Sequence, residues 1–252
     1  MDFRGKVAVV LGDPAGIGRS TVAALARLGA DVVFADTDPQ QLEITHDRIA
    51  RPYRRVLSVR CDVTVAEEID RLAEETAAIM GPVHILMNNA GVVMGGPYER
   101  ITRDGVEMTL HLGVAPALRP IQAFVPYMKG RKDSHIILTS SVAGLLDPGG
   151  SSAAYIHSNI ALTALSEKLA DALELDDVRL SLLNYSLTLP QDGANSEVQV
   201  ADPDEVSGMV IDAIRLNQFL IHTESENDIV KHLLEIGPST PSLQNPEILQ
   251  PQ

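Results

Sequence analysis

Two groups of residues in this chain have the types and spacing for chemistry. The first is LGDPAGIGRS, where Gly12, Gly16 and Gly18 form a G-x-x-x-G-x-G pattern directly after an apolar run. Such a turn lets backbone N–H groups approach a ligand closely, and with Ile17 it opens a helix whose N-terminus attracts a pyrophosphate. The second is Tyr155 with Asn159, preceded by Ser141 in TSSVAG. Tyr155 and Asn159 stand at i and i+4 of a helical pattern, so they share a face. A free phenol has a pKa of about 10: it can give a proton near neutrality but is a poor base unless a cation holds its anion. Asn159 can hydrogen-bond a hydroxyl but carries no charge. At an effective dielectric of about 20, a unit charge about 4 Å away is worth about 4 kcal/mol, close to three pKa units. Without it, Tyr155 stays protonated near neutral pH and suits acid rather than base work.

Asp36 lies at the end of the second apolar run. An acid there can accept hydrogen bonds from an adenosine ribose and repels a 2′-phosphate. Asp13 to Ile17 contains no arginine or lysine to hold such a phosphate. NAD(H) is therefore favoured over NADP(H). The competing structural reading makes Asp36 a neighbour of a helix-capping Asp38.

These residues need elements to position them. Val7–Leu11, Asp31–Ala35, Val56–Arg60, His84–Asn88, His135–Thr139 and Val178–Asn184 are short apolar runs without polar alternation. That is the pattern of parallel strands covered on both faces. Helical patterns fill the gaps. One spans Gly16 to Leu28 with Val22, Leu25 and Ala26 on one face and Gly29 as its stop. Another starts at Asp38-Pro39, an N-cap followed by proline. A third starts with the capping box Thr64-Val65-Ala66-Glu67. Pro116 and Pro120 are expected to distort the helix that holds them. The alternation predicts an α/β fold: a single Rossmann-like domain over residues 1–236, its doubly wound parallel sheet flanked by helices on both faces. Residues 237–252 read as a polar, proline-rich tail, and Gln191 to Asp204 as a polar loop or substrate lid.

The whole chain narrows the function further. Its 252 residues carry a formal charge of −14 and no tryptophan, which argues against nucleic-acid or anionic-membrane partners. A single cysteine, Cys61, allows no intrachain disulfide and suits a cytoplasmic setting. No apolar stretch is long enough to span a bilayer and the N-terminus has no signal-peptide pattern.

GDPAGIG, Asp36, CDVT (Cys61–Thr64) and NNAG (Asn88–Gly91), in that order, resemble the classical short-chain dehydrogenase/reductase family. The similarity runs from about Lys6 to about Leu234, and NNAG is its most specific piece. The resemblance implies that Gly12, Gly16, Ile17, Gly18 and Asp36 bind cofactor, that Asp62 and Val63 contact adenine, and that Asn88, Asn89, Ala90 and Gly91 brace the sheet beside it. It implies that Tyr155 exchanges the proton as hydride moves between nicotinamide and a carbonyl or alcohol carbon, and that Ser141 positions the substrate oxygen. It implies a homodimer or homotetramer acting on a small molecule.

Several positions depart from the family pattern. Leu11 replaces the usual threonine or serine, and Asp13 sets a carboxylate near the cofactor. Asn159 stands where a lysine is expected and is left the catalytic-site task of orienting the nicotinamide ribose, and Gly113 stands where an asparagine is expected, with His111 two residues earlier. After the sixth strand, Tyr185 and Ser186 replace Pro-Gly, with Thr188 as an imperfect substitute for the threonine near the nicotinamide amide. The bulk of Tyr185 could narrow that pocket. His157 is expected to face a neighbour or solvent. Three activities fit: an NAD(H)-linked ketone or alcohol oxidoreductase with a reduced proton relay; a silent subunit without cofactor, pairing with an active relative in a hetero-oligomer; or a non-redox lyase, isomerase or cyclase.

Overall fold

The apolar runs become strands of one parallel sheet because helices cover both its faces. The structure, a computed structural model, describes residues 1–50, 55–89, 114–131, 133–141, 153–185, 187–188, 199–200 and 202–223; at 141, 153–157, 187–188 and 199–200 it describes the backbone. In chain order the elements are β1 (Val7–Leu11), α1 (Ile17–Leu28), β2 (Asp31–Asp36), α2 (Pro39–Ile49), β3 (Val56–Arg60), α3 (Ala66–Met80) and β4 (Val83–Asn88). They continue with α4 (Ala115–Met128), β5 (Ser134–Ser141), α5 (Ala153–Glu174), β6 (Val178–Tyr185), β7 (Leu187–Thr188), β8 (Gln199–Val200), α6 (Pro203–Leu216) and β9 (Leu220–His222). The main sheet has seven strands in the order β3-β2-β1-β4-β5-β6-β9, and every pair is parallel. β7 and β8 form a separate antiparallel pair.

Side chains alternate between the two faces. Ala8, Val10, Phe34 and Met87 pack with Val22 and Leu25 of α1, Leu42 of α2 and Val210 of α6. Val9, Leu11, Val33 and Leu86 pack with Leu72 of α3, Phe124 of α4 and Leu173 of α5. Fully burying one such large apolar side chain is worth about 1.5–3 kcal/mol. β1 is buried along its whole length, so a charge at Val9 or Val10 would have no wet face to turn to.

Local signals largely end the helices where expected. Gly29 stops α1 at φ 105, with its N–H donating to Ala26 O, while Ala30 N–H returns to Leu25 O. Asp38 caps α2, accepting from Gln40 N at 2.9 Å and Gln41 N at 3.2 Å. The capping box of α3 does not form. Asp62 Oδ1 accepts from the N–H of Thr64 at 2.9 Å and its hydroxyl at 2.7 Å, so the hydroxyl is a donor and not a cap. The helix starts at Ala66 after Val65, and Glu68 rather than Glu67 turns back, accepting from Asp62 N at 2.8 Å. A charged acceptor two residues upstream outcompetes the helix for the threonine.

The prolines of α4 do not interrupt it. Pro116 sits in the first turn, where no donor is needed. Pro120 has no N–H to give Pro116 O, its partner four residues back. Asn88 at the end of β4 supplies that bond, its Nδ2 lying 3.0 Å from both Pro116 O and Ala117 O. Asp202 to Asp204, expected in the loop, instead open α6, with Asp202 Oδ1 accepting from Asp204 N at 2.8 Å. β9 was not anticipated: Leu220–His222 is too short to stand out as a run and becomes a strand by pairing with β6.

Candidate functional site

The sheet order reverses beside β1, which has β2 on one side and β4 on the other. In open α/β sheets this switch point is where ligands bind, outside the carboxyl ends of the strands. The glycine turn follows β1, Asp36 ends β2, and Asp62 and Asn89 follow β3 and β4, so all line that edge. Gly12 continues the ladder, donating to Ala35 O at 2.8 Å, and Asn89 N donates to Leu11 O at 2.9 Å.

The turn requires its glycines for definite reasons. Gly12 has φ 81, a region open to glycine. A Cβ on Gly18 would lie 2.0 Å from Gly12 O and 2.7 Å from Asp13 O, so α1 packs on the turn only with glycine there. Gly16 caps α1 with no side-chain partner of its own. Its N–H, and that of Gly18, point at Asp13. Asp13 Oδ1 accepts from Gly16 N at 2.9 Å and its Oδ2 from Gly18 N at 3.3 Å. Asn89 Nδ2 donates to the same Oδ2 at 3.3 Å. Asp13 has φ 57, a backbone that aspartate tolerates better than most residues.

Farther along the edge, Asp36 Oδ1 accepts from Asp38 N at 2.9 Å. It thus supports the capped turn of α2, and the two readings of this residue are compatible, since a carboxylate has further lone pairs. Hydrogen bonds from the Thr64 side chain and backbone lower the Asp62 pKa and keep it ionised. Val63 packs against the core beside Cys61, whose thiol burial pushes up to about 11, an inert buried thiol.

Ser141 ends β5 in register with Tyr185 at the end of β6. Tyr155 lies near the start of α5, with Asn159 one turn on. Asn159 is buried, and its Oδ1 accepts from the Ser140 hydroxyl at 3.1 Å. The amide thus ties α5 to the end of β5 through the neighbour of Ser141. Tyr185 is half-buried and packs on the core shared with α1. Burial, and then the nearby Asp13 charge, raise its pKa. Thr188 lies in β7. Ala90, Gly91, His111, Gly113 and the tail from 237 lie outside the described residues, as does the side chain of His157.

The sequence did not announce one feature of this edge. Ser140, Asn184 and His222 stand in register across β5, β6 and β9. They form a polar row at the carboxyl ends, on the sheet face that meets Asn159. Its third member depends on β9, whose pairing brings His222 there.

A nicotinamide dinucleotide suits the turn, Asp36 and Asp62, and conflicts with Asp13 at the phosphate seat. Among the described residues no group of histidine, cysteine and acidic side chains could hold a metal, and no helix is long and apolar enough to cross a membrane.

Comparison with known proteins agrees with the fold. The family model for short chain dehydrogenases matches residues 6–196. The chain is 30% identical over 238 residues to 1-deoxy-11-beta-hydroxypentalenate dehydrogenase of Streptomyces exfoliatus, covering 90% of this chain and 86% of that protein. It is 32% identical over 167 residues to epidermal retinol dehydrogenase 2 of Mus musculus, covering 66% and 53%. A short chain dehydrogenase/reductase from Burkholderia phymatum in complex with NAD superposes with a TM-score of 0.80 at 27% identity, over 100% of this chain and 99% of the other. A metagenomic short-chain oxidoreductase in complex with NADP superposes at 0.72 and 29% identity, over 89% and 98%. From the glycine turn to the seven-stranded sheet, this chain belongs to the short-chain dehydrogenase/reductase family.

Proposed function

We propose that this protein is an NAD(H)-linked oxidoreductase acting on a ketone or secondary alcohol, with reduction the direction its side chains favour. The observation that carries the reading is the gathering of the glycine turn, Asp36, Asp62 and Asn89 at the switch point of a short-chain dehydrogenase sheet. Gly12 to Gly18 would take the pyrophosphate, Asp36 the adenosine ribose, Asp62 and Val63 the adenine, and Thr188 the nicotinamide amide. Asp36 and the lack of a basic residue between Asp13 and Ile17 favour NAD(H) over NADP(H).

When bound, the nicotinamide supplies or accepts the hydride at the substrate carbon. The chain's own task is the proton. Ser141 holds the substrate oxygen, and the Tyr155 hydroxyl gives its proton to that oxygen as the carbonyl becomes an alcohol; water then returns a proton to the phenolate. With a neutral amide at Asn159, the phenol remains a competent acid and a weak base, which favours ketone reduction over alcohol oxidation at neutral pH. Asn159 acts by holding α5 against β5, and so sets where Tyr155 stands.

A screen of ketones with NADH, read by loss of nicotinamide absorbance, tests this reading. Turnover of at least one ketone by the native protein, with a loss of about a hundredfold or more in Tyr155→Phe, is expected. Undiminished turnover in Tyr155→Phe would remove Tyr155 from the chemistry. Asp13 supports a second reading, a silent subunit paired with an active relative, because its carboxylate stands at the phosphate seat. Absence of both NADH binding and turnover, with copurification with a second family member, would favour it.

A further inference from the structure

We infer that Asp13 is a built-in anion that fills the phosphate seat of the glycine turn, so that a dinucleotide binds only by displacing it. The inference rests on the dinucleotide reading above and concerns what this chain adds to it. Helix N-termini bind phosphate because their first N–H groups have no partner within the helix and point outward at the positive end of the dipole. In α1 the N–H groups of Gly16 and Gly18 are both directed to the Asp13 carboxylate. A third donor comes from a different element, the Asn89 amide after β4. The carboxylate therefore joins the two sides of the switch point.

The turn is shaped around this side chain. A Cβ on Gly16 would lie 2.6 Å from Asp13 Oδ2 and 2.8 Å from Oδ1, so the glycine leaves the room that the carboxylate occupies. A pyrophosphate entering this seat meets a like charge and donors already engaged. It must turn the carboxylate out and take over its hydrogen bonds. Asp13 is therefore a specificity-determining residue. It lowers affinity for every ligand that brings phosphate to the turn and leaves adenosine recognition at Asp36 and Asp62 untouched. It also holds the turn in its binding shape when no ligand is present.

Two substitutions separate these roles. Asp13→Gly removes the charge and the acceptor and accepts the positive φ; Asp13→Asn removes the charge but keeps an acceptor and tolerates that backbone. NADH would be titrated by fluorescence, and ADP-ribose and adenosine by calorimetry, against the native protein and both variants. ADP-ribose reports on the phosphate seat without the nicotinamide, and adenosine without phosphate. In Asp13→Gly, NADH and ADP-ribose should bind about ten- to a hundredfold tighter, the scale of hydrogen bonds to a charged group. Asp13→Asn should gain less, and adenosine should be unchanged in both.

If the native protein binds NADH and neither variant binds it or ADP-ribose more tightly, the inference fails while the dinucleotide reading stands. An equal gain for adenosine also overturns it, since the effect would not lie at the phosphate seat. If none of the three proteins binds NADH or ADP-ribose, the dinucleotide reading fails and the inference with it. Should Asp13→Gly not fold, Asp13→Asn decides alone: a gain for ADP-ribose without one for adenosine supports the inference, and no gain overturns it.

Discussion

At the scale of single residues, the distinctive change is a neutral amide one turn along the helix from a phenol. A cation at that distance lowers the pKa of an acid by about one to three units. Asn159→Lys should therefore shift the pH dependence of alcohol oxidation, moving the rising limb of kcat/KM toward neutrality by at least about one unit. The measurement is a pH–rate profile of the variant beside the native protein, with NAD and the alcohol of the best ketone found. An unmoved limb would show that Tyr155 does not feel this position. The substitution also breaks the Ser140 bond and introduces an ammonium at a buried site. Its melting temperature should fall, and that loss is read separately from the pH profile.

At the scale of elements, the meeting of β4 and α4 shows how a side chain repairs a backbone. Pro120 deprives Pro116 O of its helical donor, and Asn88 supplies one. Asn88→Ala should cost about 1–3 kcal/mol, the penalty for leaving a buried acceptor unsatisfied. In a Pro120→Ala background a helical N–H is restored, so the same substitution should cost measurably less. Urea melts of the four proteins of this cycle give the coupling, and strict additivity would remove the explanation. The same asparagine follows from the NNAG motif, so its place beside a ligand edge and its structural task coincide. Asn89, the next residue, faces the opposite demand: its amide holds Asp13.

At the scale of the whole molecule, one buried histidine links β5 to β6 and, through Ser181, to the turn before β9. Ser181 on β6 donates to Gln218 O at 2.6 Å, so its oxygen accepts from His135 Nε2 on β5 at 2.7 Å. His135 is therefore the neutral Nε2–H tautomer. Burial, then the charges of Arg179 and the amino terminus, lower its pKa from 6.5 to about 4. The unfolded chain takes up this proton near 6.5, while the folded one resists until about 4. Stability is thus full above the unfolded value and falls as pH drops across that window, by about 3 kcal/mol. Urea unfolding at pH 7, 5.5 and 4 checks this. His135→Gln keeps a donor for Ser181 and should flatten that part of the loss; an equal slope in the variant would assign it to the carboxylates.

Six of the seven strands of the main sheet, and most of its helices, are legible in the sequence alone. Runs such as Val7–Leu11 have no polar face, and signals such as Asp38-Pro39 and Gly29 act within one or two turns of chain. The sequence also placed the glycine turn after the first strand, because that pattern is local. Tertiary structure decided what depends on neighbours distant in the chain. β9 exists because β6 offers it an edge. Asn88 becomes the missing donor of α4 only once β4 lies beside it. The largest such decision concerns Asp13. Its identity put a carboxylate near the turn, but only the folded backbone aims two glycine N–H groups and the Asn89 amide at it. Direction, unlike residue type, is set by the packing of strand, helix and neighbouring strand together.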